Sequence, residues 1–75
     1  MMPFHEAANK ILHTPALDVW DFTVGYADRK AESGIREDCL GAFLEAGEVP
    51  GHRVRWIKDK TGTVVWDREK RICNL

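Results

Sequence analysis

Apolar side chains recur along this chain in two rhythms. Near the start, Phe4, Ala7, Ala8, Ile11 and Leu12 are spaced three and four apart, which puts them on one face of a helix. Pro3 suits its first turn, where a missing N–H costs nothing. His13-Thr14-Pro15 ends it, because the residue before proline is pushed out of the α region. The rhythm then changes to two: Trp20, Phe22, Val24 and Tyr26 alternate with Asp21, Thr23, Gly25 and Ala27, one greasy strand face and one small polar face. Residues 28–34 read as a charged loop and Ile35-Arg36-Glu37 as a short return strand. Asp38 is suited to cap a second helix with Leu40, Phe43 and Leu44 inward and Gly47 at its left-handed C-terminal position.

After Val49-Pro50-Gly51 come two runs in which cations interleave with β-branched and aromatic residues, on either side of Asp59-Lys60-Thr61-Gly62-Thr63. That turn suits a three-residue hairpin loop, a type I turn followed by a left-handed glycine. Asp59 then stands opposite Thr63, and counting outward sets Trp56 opposite Trp66, Arg55 opposite Asp67 and Arg53 opposite Glu69. Each such pair is worth about 0.2–1 kcal/mol. The elements predict an α+β fold in the order α-β-β-α-β-β, with two hairpins forming an antiparallel sheet and the helices packed on one face. Seventy-five residues suffice for one small domain over residues 1–75.

Composition narrows the class. With 44% hydrophobic and 31% charged residues the chain is expected to be globular rather than disordered. Its apolar runs are too short to span a membrane, and the start has no basic segment leading into an apolar one, so no secretory leader is expected. Cys39 and Cys73 are far apart and read as reduced thiols of an intracellular protein, cytoplasmic or nuclear. His5, His13, His52 and the cysteines are not at ligand spacing, so no metal or cofactor is expected.

The net charge of −1 conceals a split. Residues 52–71 carry seven cations against three acids, a net +4, while residues 1–51 carry four cations against nine acids, a net −5. The basic part is also the part with two tryptophans, a combination that points to an anionic, aromatic ligand such as RNA. Arg29, Arg53, Arg55 and Arg68 are candidates for a phosphate fork. The hairpin register commits Arg55 to Asp67 and leaves Arg29, Arg68 and Arg53 freer. His52, beside Arg53, is suited to bonding a phosphate oxygen or moving a proton; alternatively it ties down the Pro50-Gly51 bend. Trp56 and Trp66 are either a base-stacking pair or core. Gly-rich phosphate loops are absent, Ser33 has no evident base, and His52 is a single proton carrier where acid–base RNA cleavage needs two. Binding is expected rather than turnover.

Four stretches together resemble the RNA cyclic-group end-recognition domain, a small family of archaea and eukaryotes. They are Phe22-Thr23-Val24-Gly25-Tyr26-Ala27-Asp28-Arg29, Gly34-Ile35-Arg36-Glu37, Val49-Pro50-Gly51-His52-Arg53-Val54-Arg55-Trp56, and Gly62-Thr63-Val64-Val65-Trp66-Asp67-Arg68-Glu69-Lys70-Arg71. The resemblance implies recognition of RNA ends bearing a 2′,3′-cyclic phosphate, alone or beside an RNA-processing enzyme such as a 2H phosphoesterase. The polar signature it carries over falls on Tyr26, Asp28, Arg29, His52, Arg53, Asp67 and Arg68. The chain departs from the family pattern at Ala27, where an acid is usual, at Gly51, where an aromatic is common, and at His13-Thr14, where Trp-Asp is common. The combined expectation is a noncatalytic RNA-binding module. Arg29, Arg53, Arg68 and His52 meet the phosphate of an RNA 3′ end, Tyr26 or Trp66 lies against the terminal base or ribose, and Asp28 and Asp67 orient the arginines. The rival expectations are a protein–protein adaptor in an RNA-processing or ribonucleoprotein assembly and, third, a weak phosphoesterase using His52.

Overall fold

The structure, a computed structural model, describes residues 2–75. Helix α1 spans Phe4–Leu12, with Pro3 just outside it in extended conformation, its carbonyl accepting the N–H groups of Glu6 and Ala7 at 3.1 Å. Phe4, Ala7, Ala8 and Ile11 are buried, whereas Leu12, expected on the same face, has turned to solvent. One residue past Ile11 is a rotation of about 100° around the helix.

The alternation expected from Trp20 begins later. The Asp18 carboxylate accepts the Trp20 N–H at 2.9 Å and winds Val19–Asp21 into a 3-10 turn, so strand β1 runs over Thr23–Ala27. Trp20 leaves the strand, remains 53% exposed and lays its ring across Gly41, where a Cβ would come within 2.6 Å of it. Strand β2, Ile35–Cys39, pairs with β1 and passes directly into helix α2, Leu40–Ala46. Asp38 does not cap α2; its carboxylate accepts the adjacent Cys39 N–H at 2.8 Å. Leu40 and Phe43 are buried, Leu44 is exposed, and Gly47 ends the helix at φ 62°.

A 3-10 turn over Gly51–Arg53 leads to β3, Val54–Lys58, then β4, Val64–Asp67, and a short β5, Ile72–Cys73, that the sequence pattern did not predict. The five strands form one antiparallel sheet in the order β2-β1-β3-β4-β5. Val24, Val54, Ile57 and Trp66 of the strands share one buried cluster with Phe4 and Ile11 of α1 and Leu40 and Phe43 of α2. The rings of Phe4 and Trp66 meet edge to face at 6.0 Å. No helix among the described residues is long and apolar enough to cross a membrane.

The terminal hairpin starts as its turn requires and then departs from the expected register. Gly62 has φ 86°, Asp59 bonds Thr63 across the loop at 2.9 Å, and Lys58 stands opposite Val64. A bulge after Lys58 then inserts Val65 as an extra residue, so Ile57 faces Trp66 and Trp56 faces Asp67. Trp56 and Trp66 therefore lie on opposite faces of the sheet, not side by side. The expected Arg55–Asp67 and Arg53–Glu69 pairs give way to one ion pair, Arg55–Glu69 at 3.0 Å. Magnitudes explain the slip: burying a large apolar side chain beside Ile57 is worth about 1.5–3 kcal/mol, against about 0.2–1 for a cross-strand pair.

Candidate functional site

Two neighbouring clefts share Ala27 and Gly34 as walls. The first, about 630 Å³, is lined by Ala27, Asp28, Arg29, Lys30, Gly34 and Arg53. Its shape follows from the loop after β1. Asp28 accepts the Lys30 N–H at 2.9 Å and the Arg36 Nε–H at 2.6 Å, and Gly34 closes the loop at φ 83°, its carbonyl accepting the Asp28 N–H at 2.9 Å. The Lys30 N–H and then the Arg36 guanidinium hold the Asp28 carboxyl below its ordinary range, and Asp28 in turn raises Arg36. Asp28 thus orients Arg36, not Arg29 as expected. Arg29, Lys30 and Arg53 are all exposed, and none forms an ion pair among the described residues. Three cations against the single Asp28 carboxylate, which is already bonded to Arg36, make this concavity suited to an anion.

Arg53 and His52 are presented by the Gly51–Arg53 turn. Arg68 holds that turn in place: its guanidinium donates to the His52 carbonyl and, at 3.2 Å, to the Gly51 carbonyl, while lying over the Trp66 ring at 5.7 Å. Arg68 was expected to meet phosphate directly. Both of its terminal nitrogens donate to backbone, which fixes the turn beside it. Gly51 packs against Phe4, with room for a Cβ only at 3.0 Å from that ring.

The other expected residues divide. Trp66 is fully buried, its indole N–H donating to the Met2 carbonyl at 2.9 Å, so it is core and not a ligand platform. Tyr26 packs on Phe43 at 5.5 Å, within the core margin, and lines neither cleft. Asp67 is 8% exposed and accepts the Lys70 N–H at 3.0 Å, which fixes the turn after β4; it lines the second cleft with Arg55 but makes no hydrogen bond to an arginine among the described residues.

The second cleft, about 410 Å³, lies on the sheet face away from the buried cluster and is lined by residues including Ile35, Arg55, Trp56, Asp67 and Lys70. Trp56 is half-buried and sits over Gly25, where a Cβ would stand 2.2 Å from the ring. The Lys58 ammonium caps the ring at 4.3 Å from its centroid. That contact is worth about 0.5–1 kcal/mol at an exposed site, less than the 1–3 kcal/mol of a base stacked on an aromatic ring. A planar ligand can displace it.

Of the residues expected at the site, Asp28, Arg29 and Arg53 line the first cleft and His52 does not; Lys30 was missed, and Trp56 was not given a face of its own. One signal was present for Trp56: Val54 and Ile57 are three apart, which two-residue alternation cannot bury together without a bulge. The bulge occurs at Arg55, between the Gly25–Trp56 and Tyr26–Val54 pairs.

No solved structure matches this chain. A family model does, over residues 1–68: the MJ1316 RNA cyclic group end recognition domain.

Proposed function

Because the chain belongs to the MJ1316 RNA cyclic group end recognition domain family, we propose that it binds RNA at phosphate-bearing 3′ ends, the 2′,3′-cyclic phosphate foremost, without cleaving it. The observation that carries this reading is the cleft lined by Arg29, Lys30 and Arg53, none of which forms an ion pair among the described residues. Guanidinium donors match phosphate oxygens two at a time, and an ammonium adds charge. Binding without turnover is supported by the inventory at the cleft. His52, next to Arg53 in the Gly51–Arg53 turn, is one proton carrier, and the Asp28 carboxylate is occupied by the Lys30 N–H and Arg36; acid–base cleavage needs two free carriers.

The test is a titration of the purified protein with matched oligonucleotides ending in 2′,3′-cyclic phosphate, 3′-phosphate and 3′-hydroxyl. Both phosphate ends are expected to bind more tightly than the hydroxyl end, the cyclic form most tightly, and Arg53→Ala is expected to erase the difference. Equal affinity for all three defeats the reading, and cleavage of the cyclic-phosphate strand that is lost in His52→Ala replaces it with a phosphoesterase.

One observation favours an adaptor role as a second reading. Trp20 and Leu44 are exposed, at 53% and 37%, on segments that also carry Asp18, Asp21, Glu45 and Glu48. A basic partner with an apolar anchor fits that surface, as in an RNA-processing or ribonucleoprotein assembly. Under this reading Trp20→Ser releases a co-purifying protein while RNA affinity stays unchanged.

A further inference from the structure

We propose that Trp56 is a stacking shelf for the unpaired nucleobase next to the terminal phosphate, so that the domain takes single-stranded ends and refuses blunt duplex ones. The inference rests on the end-binding reading for the position of the phosphate, and on separate observations for the base.

The sheet leaves a tryptophan outside its core when the burial of Trp66 is already satisfied on the other face. Trp56 is seated there by its neighbour. Gly25 is its direct cross-strand partner, and only a residue without a side chain lets the indole lie down on the strand, since a Cβ would meet ring atoms at 2.2 Å. The Lys58 ammonium over its centroid marks a ring face open to a ligand. The cations around it are Lys58 at 4.3 Å from the centroid, Arg55 and Lys70. Of the acids in this cleft, Glu69 is tied to Arg55 and Asp67 to the Lys70 N–H. Glu37, opposite Gly25, lies on the same face; an aromatic surface with Lys58 over its ring and Arg55 and Lys70 beside it suits a ligand that is both planar and anionic, which a nucleotide is.

Position adds direction. The shelf cleft and the cation cleft meet along Ala27 and Gly34, so a strand whose end phosphate occupies Arg29, Lys30 and Arg53 runs its adjoining base onto Trp56. Lys58, displaced from the ring, becomes free to meet the next phosphate. In a blunt duplex the terminal base keeps one open face but is held by its partner strand, so laying it on this surface costs its pairing and stacking, a few kcal/mol that a single-stranded end does not lose.

The experiment uses the full chain, a single-stranded 3′-phosphate RNA tetranucleotide, its 3′-hydroxyl counterpart and a blunt duplex with the same terminal sequence. Affinity and tryptophan fluorescence are read together. RNA is expected to quench the emission of the wild type, and Trp56→Leu, which keeps apolar bulk over Gly25, is expected to abolish that quench although Trp20 and Trp66 remain. The same variant is expected to lose about tenfold in affinity for both single strands with its phosphate-to-hydroxyl preference unchanged, and Trp56→Phe to recover most of the loss. Arg53→Ala is expected to do the opposite, losing the end preference while keeping the quench at saturation. A Trp56→Leu protein that binds and quenches like the wild type overturns the shelf, as does duplex binding equal to single-strand binding, or no RNA binding at all. A Trp56-dependent quench with equal affinity for both ends keeps the shelf and rejects the end-binding reading instead.

Discussion

Gly25 and Arg68 are the residues whose roles are furthest from their appearance in the sequence. In a strand, glycine is ordinarily a weakness, costing backbone entropy without packing. Here Gly25 makes room for the Trp56 ring, so Gly25→Ala must displace the indole or the strand. Urea denaturation is expected to show a loss of about 1–3 kcal/mol, the usual cost of overpacking, with Trp56 emission shifted to the red. Arg68 reads as one more surface cation, yet it is half-buried and donates to the carbonyls of Gly51 and His52. Hydrogen bonds from a charged group are worth about 1.5–3 kcal/mol. Arg68→Gln is therefore expected to destabilise the fold by about that much, and to weaken RNA binding through the turn that carries Arg53. Arg53→Ala is expected to change affinity alone. The two variants separate positioning from contact.

Among the elements, the β3–β4 hairpin is the one whose local chemistry is most explicit. Asp59 accepts the N–H groups of Thr61 and Thr63 and the Thr61 hydroxyl, and Gly62 supplies the left-handed residue at φ 86°. Gly62→Val is expected to cost about 1–2 kcal/mol, since a β-branched residue resists positive φ. The Thr61 hydroxyl, followed by the Thr63 and Thr61 N–H groups, holds the Asp59 carboxyl below its ordinary value of 3.8. The folded value lies below the unfolded one, so the stability Asp59 contributes is fully present above about pH 4 and is lost as pH falls through the lower, folded value. Asp28 behaves in the same sense in the cleft loop. Melting temperatures between pH 6 and pH 2 are expected to fall at the acid end, and Asp59→Asn to flatten part of that fall. This turn was legible because its signal is local. The bulge at Val65, two residues on, was not, because it answers to what Trp66 can bury beneath the sheet.

For the whole molecule the charge split governs association. A site that grips one terminal phosphate and the next backbone phosphates with Arg29, Lys30, Arg53 and Lys58 releases few counterions. With about three phosphates contacted on a single strand, log affinity against log salt is expected to have a slope near −2. A steeper slope, indifferent to the RNA end, would describe a general basic groove.

The chain by itself determined the α+β composition, the two hairpins and the left-handed glycines at 47 and 62. Those depend on spacing along the backbone or on motifs close in sequence, which short-range sterics and hydrogen bonding decide. Tertiary packing alone decided which tryptophan is core and which lies open, that Arg68 braces a turn, that Trp20 leaves its strand, and that Lys30 joins the cleft. Two bulges shift the strand registers, and each one-residue slip exchanges the faces of every side chain beyond it. A slip of that kind is set by the volume available between sheet and helices, a quantity written in no single stretch of sequence.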